Sequence, residues 1–154
     1  MTTNAMLETH PAGAHHARAA SAYLVPLGRL LFAAIFLMSA PRHFAGQTIE
    51  YARHAGVPAP DLLVPISGVL ALVGGLSILL GYKARVGAWL LVIFLVPVTL
   101  MMHKFWGLAD QNAAMVQRVM FMKNVSMLGA ALMLTHFGAG PFSVDARRFE
   151  AHHH

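Results

Sequence analysis

The run Leu62-Leu63-Val64-Pro65-Ile66-Ser67-Gly68-Val69-Leu70-Ala71-Leu72-Val73-Gly74-Gly75-Leu76-Ser77-Ile78-Leu79-Leu80-Gly81-Tyr82 decides the fold. It contains no charged side chain. At roughly 1.5 Å per helical residue it can cross a hydrocarbon core of about 30 Å. Ser67, Ala71 and Gly75 recur at every fourth position, a small-residue stripe that lets a second helix approach closely where lipid removes any hydrophobic drive between helices. Asp61, just before the run, is the expected helix N-cap.

Three more apolar runs of similar length flank this one, at about 23–44, 86–103 and 117–137. The composition agrees. Of 154 residues 57% are hydrophobic and only 11% charged, whereas soluble domains carry about a quarter charged residues. The expected fold is therefore all-α: an integral membrane, antiparallel four-helix bundle over 23–137. The segment 1–22, with Glu8, His10, His15, His16 and Arg18, reads as a flexible tail, and 138–154 as a C-terminal surface segment. His152 to His154 have the form of a purification-tag remnant.

Charge and cysteine usage exclude several classes of function. There is no cysteine, so disulfides, thiolate redox chemistry and Cys-ligated zinc or iron–sulfur centres are ruled out. The net charge of +5 is scattered between the apolar runs and reads as topology signal rather than as a nucleic-acid surface. Four spans put both termini on one side. The short Lys83/Arg85 turn and the Arg147/Arg148 tail favour the cytoplasm for that side. No Gly-rich phosphate loop, Ser/His/Asp set or paired carboxylates are present.

The up-and-down topology gathers the polar interruptions at the other, outer end. The first and third helices carry His43 and His103 there, while the second and fourth begin there with Asp61, Gln117, Lys123 and Asn124. Gln117 and Asn124 are seven apart and share a helix face. Lys123 either snorkels to the interface or points into a hydrated cleft, because an ammonium within a bilayer needs water or a partner. His103, with Lys104-Phe105-Trp106 after it, would form one wall of a ligand site; a histidine there also suits proton transfer. Two histidines and Asp61 are too few for a metal set, so no metal site is expected. The ten methionines read as adaptable packing. Arg29, near the inner end of the first run, reads as an interfacial, snorkelling residue. Pro97, inside the third run, removes the donor to the Ile93 carbonyl and predicts a kink.

These residues resemble the DoxX family of small four-helix membrane proteins over about residues 25–137. The matching pieces are Leu27-Gly28-Arg29-Leu30-Leu31 with Phe36-Leu37-Met38-Ser39, Ala55-Gly56-Val57-Pro58, and Gly74-Gly75-Leu76 through Leu80-Gly81-Tyr82 with Lys83 and Arg85. The most specific is His103-x-Phe105-Trp106 followed by Gln117 and Phe121-Met122-Lys123-Asn124. The resemblance implies a bacterial inner-membrane subunit of an oxidoreductase system, with a quinone-like or lipid-like ligand near His103, Trp106, Gln117, Lys123, Asn124 and His43. His103 and Lys123 would then hydrogen-bond the ligand's carbonyl oxygens and Trp106 would stack on it. A peripheral oxidoreductase partner and a homo-oligomer are compatible with it. So are two other functions, a non-catalytic anchor for a peripheral enzyme and a small transporter. Family members often have Lys where this chain has His43, and Glu where it has Ala71. Against the family pattern, the loss of both a cation and an anion implies that an intramembrane ion pair is absent here.

Overall fold

The structure, a computed structural model, describes residues 12–151. The first part of the expected tail, 1–11, and His152 to His154 lie outside the described residues. Those described are helical or in turns, with no strand among them. Helix α1 spans Ala12–Ser39 and runs into a 3-10 helix, Ala40–Phe44. A short α2, Gly46–His54, precedes α3, Pro60–Leu80, and α4, Ala84–Met102. The long α5, Gln111–Phe137, leads to a final short helix α6, Val144–Ala151.

Three stretches are long and apolar enough to cross a membrane: Ala22–Phe44, Pro60–Leu80 and Ala84–Met102. Helix α5 has 27 residues, about 40 Å at 1.5 Å each, but Gln117, Arg118, Lys123 and Asn124 dilute its apolar character. The first helix begins earlier than its hydrophobic run, because Ala12–Ser21 continues α1. Alanine-rich sequence supports this, alanine being the best helix former.

Packing follows the small residues. Helix α3 packs on α1 and on α4, and α4 packs on α5. The α3–α4 contact is backbone against backbone at Gly74 and Gly87. A Cβ on Gly74 would stand 2.9 Å from the Gly87 carbonyl, and one on Gly87 3.1 Å from the Gly74 carbonyl. Gly75 instead faces Leu37 and Phe36 of α1. The glycine pair thus serves two neighbours, so the close-approach stripe is broader than Ser67/Ala71/Gly75. The core comprises Phe36, Ala71, Ile78, Leu91, Phe94, Leu95 and Ala131 with smaller residues between them. Many outward leucines, valines and methionines remain exposed, as expected of a surface solvated by lipid tails.

Asp61 is not the cap of α3. Ala59 occupies that position with a left-handed backbone (φ 42°), and Pro60 starts the helix, where proline's missing N–H costs nothing. Asp61 accepts instead two hydrogen bonds from Arg53 Nη2, at 3.0 and 2.8 Å. Arg53 also pairs with Glu50. Hydrogen bonding and charge from Asp61, then Glu50, raise the Arg53 pKa further above its ordinary value. This pins α2 against the start of α3.

Candidate functional site

At the end of the bundle where α1, α3 and α4 meet the 3-10 helix and α2, a cavity of about 400 Å³ opens. Its walls are Val64, Ile66, Ser67 and Leu70 of α3, Ile93, Phe94, Pro97, Met101 and Met102 of α4, and Thr48 and Val57 of the connection. His43 and His103 lie on its lining. Such a volume, mostly apolar with a few polar groups, suits a small amphipathic molecule. Pro97 helps shape it: α4 stays helical through the proline, and both Pro97 and Ile93, whose carbonyl the ring cannot serve, line the void.

The two histidines are held by different means. His43 Nδ1 lies 3.1 Å from the Ser39 carbonyl and its ring meets Phe94 edge-on, centroids 5.5 Å apart. Gly68 makes room for it, since a Cβ there would meet the His43 Cβ at 2.7 Å. His103 Nδ1 is 3.0 Å from Gln117 Oε1. Gln117 Nε2 donates to the Tyr51 hydroxyl at 2.9 Å, and that hydroxyl donates to the Met102 carbonyl at 3.2 Å. A relay through α2, α4 and α5 therefore orients His103. Sequence alone does not single out Tyr51, because the connection reads as a neutral polar loop; an aromatic within the short α2 is its one signal.

The remaining expected site residues lie elsewhere. Lys123 is exposed, its Nζ 3.4 Å from Met120 Sδ, and it does not line the cavity. Asn124 is buried in α5, away from the cavity lining. Trp106 is 53% exposed and packs edge-to-face with Phe105 and Phe121, at 5.2 and 5.9 Å. It belongs to an aromatic cluster between the α4–α5 connection and α5. Thus His43, His103 and Gln117 come together, and Trp106, Lys123 and Asn124 do not join them.

Arg29 departs from the snorkelling expectation. Only 4% of it is exposed. Its Nη1 donates to the Ala139 carbonyl at 3.0 Å and its Nη2 to the Phe142 carbonyl at 2.6 Å, so the guanidinium holds the segment after α5. Gly81, with φ 64°, leaves the space, since a Cβ there would collide with Arg29 and Ser143. The same segment reaches α4: Asp145 accepts from the Lys83 and Ala84 amides at 2.8 and 3.0 Å. It caps from a distance a helix whose own N-cap residue, Lys83, makes no side-chain bond. Arg148 covers the Tyr82 ring at 4.7 Å.

Among the described residues no three or more His, Cys, Asp or Glu gather as a metal-binding group. Fold and site together define a small helical membrane protein with an apolar, histidine-bearing cavity at one end. The DoxX family model matches residues 24–104, more than half of the 154-residue chain, and the chain belongs to that family. It is similar to inner membrane protein YphA of Escherichia coli (strain K12), 29% identical over 131 residues, covering 84% of this chain and 93% of the relative. It is also similar to inner membrane protein YqjF of the same organism, 29% identical over 123 residues, 79% and 88% of the two chains. A shorter likeness, 26% over 80 residues, links it to the ER-derived vesicles protein ERV29 of Saccharomyces cerevisiae, covering 52% of this chain and 26% of that one. No solved structure matches.

Proposed function

We propose that this DoxX-family protein is a four-span inner-membrane subunit that holds a lipid-like or quinone-like ligand in the cavity between His43 and His103, within a membrane-associated oxidoreductase system. The observation that carries the reading is the cavity itself, about 400 Å³ of mainly apolar space with both histidines on its wall. A ligand ring or chain would contact Leu70, Phe94 and Met101, and its polar end would meet the imidazoles. Helix α5 is the fourth span, with Lys123 placed toward the interface. Orientation follows the basic residues: Lys83, Arg85, Arg147 and Arg148 lie at the end opposite the cavity, which puts both termini in the cytoplasm. The names of the two bacterial relatives support the inner membrane as the location.

The test is extraction and mass spectrometry of the molecules that co-purify from native membranes. A lipophilic compound with a polar ring or head should accompany the wild-type protein and be lost from the His43→Ala/His103→Ala double variant. Bulk phospholipid alone in both preparations refutes the reading.

A further inference from the structure

We infer that the cavity selects a ligand whose polar end donates hydrogen bonds, such as a hydroquinone or other lipophilic phenol, over one whose polar end only accepts, such as the corresponding quinone. The inference rests on the cavity being the ligand site and adds the polarity of what enters it.

Several groups near the cavity have a hydrogen-bonding direction that admits no choice. The Met102 carbonyl can only accept, so the Tyr51 hydroxyl spends its proton there. Tyr51 must then accept from Gln117, which turns the amide N toward Tyr51 and the amide O toward His103. Faced with an oxygen that only accepts, His103 Nδ1 carries the proton. In a neutral imidazole the other nitrogen is then a bare acceptor, so His103 Nε2 is the ring's free polar atom. His43 reaches the same state independently, because its Nδ1 partner is the Ser39 carbonyl.

Another polar group on the lining has the same sense. Ser67 Oγ donates its proton to the Val64 carbonyl at 2.6 Å, leaving lone pairs. Among the described residues, Thr48 is the one wall side chain whose hydroxyl proton has no partner. Acceptors therefore outnumber donors. These acceptors are part-buried, and a ligand that fills the cavity takes their water away; an acceptor then left without a partner costs far more than a satisfied one gains, so a ligand bearing hydroxyls completes the wall and a ligand bearing only carbonyls does not. Lys123, a donor that would have favoured carbonyls, lies off the cavity lining.

Three probes of nearly equal apolar bulk test this on the purified protein in nanodiscs: decylhydroquinone under reducing conditions, its dimethyl ether, and decylquinone. The hydroquinone should bind at least about tenfold more tightly than either of the others, one hydrogen bond's difference. In the His43→Phe/His103→Phe double variant the hydroquinone should fall to the affinity of the ether, while the unchanged ether reports an intact cavity. Nitrogen-15 NMR of histidine-labelled wild type, well above the ordinary histidine pKa, should find protonated Nδ1 and bare Nε2 at both residues. Equal binding of the three probes, a preference that survives the double variant, or a protonated Nε2 in the neutral rings overturns the donor rule and leaves the cavity as a ligand site. Failure of all three probes to bind overturns the site as well.

Discussion

Replacing Arg29 with alanine should release the C-terminal segment before it unfolds the bundle. In the wild type the guanidinium donates to the Ala139 and Phe142 carbonyls from a buried position. Each hydrogen bond from a charged group is worth about 1.5–3 kcal/mol, and the pair about 3–6 kcal/mol. Against this stands the desolvation of a buried cation, of the order of several kcal/mol, made worse by an Nε with no partner among the described residues. The net loss is therefore about 2 kcal/mol, concentrated on the segment from Gly138 to α6. Trypsin reads it directly, because Arg147 and Arg148 are exposed at the surface of α6 but their backbone lies in a docked helix. When cleavage follows a fast local opening, its rate follows the open population. A change of about 2 kcal/mol then accelerates cleavage about thirtyfold, since about 1.4 kcal/mol is tenfold. Arg29→Lys should fall between the two, because an ammonium keeps the charge without the planar fork that reaches two carbonyls. The assay is limited trypsinolysis in detergent, followed by intact mass. A cleavage rate in Arg29→Ala equal to wild type refutes the latch.

Other substitutions check different parts of the structure. Asp145→Ala removes two accepted amide hydrogen bonds at the start of α4 and should cost about 1–2 kcal/mol, read as a lower midpoint in thermal unfolding. Gly74→Leu forces a side chain into the Leu91 and Gly87 contact and should destabilise by at least about 1–3 kcal/mol, read in the same assay; an unchanged midpoint would contradict the glycine contact. Asp61→Ala breaks a solvent-exposed ion pair and should leave the thermal midpoint nearly unchanged. Lys123→Ala should leave binding in the cavity unchanged within twofold, about 0.4 kcal/mol, whereas Gln117→Leu, which frees His103, should weaken it measurably.

How much of this was legible in the sequence depends on the distance over which each residue acts. The helices were readable because burial in lipid demands long apolar runs, and Leu62–Tyr82 could hardly be anything else. The convergence of His43, His103 and Gln117 was also readable, as it follows from alternating helix direction alone. Residue-level direction was not. Gln117 and Asn124 share a helix face but lie about 10 Å apart along the axis, and Lys123 is rotated by about 100° from Asn124; sequence does not say which face or depth meets the cavity. Asp61 shows the same limit in another form. Its position suggests a cap, but the helix already starts at Pro60 with Ala59 in the cap position, so Asp61 sits inside the first turn and takes Arg53, eight residues back, as its partner. Arg29 is the clearest case. An arginine near the end of an apolar run is ordinarily drawn outward to water, and what draws it inward here is a pair of carbonyls 110 and 113 residues away. The irregular backbone after α5 exposes acceptors that no helix satisfies; a buried arginine with its fork of donors is one of the few side chains able to answer two of them at once. That explains why the cation sits where a snorkelling residue would not, and why the far end of the chain is tied to the beginning.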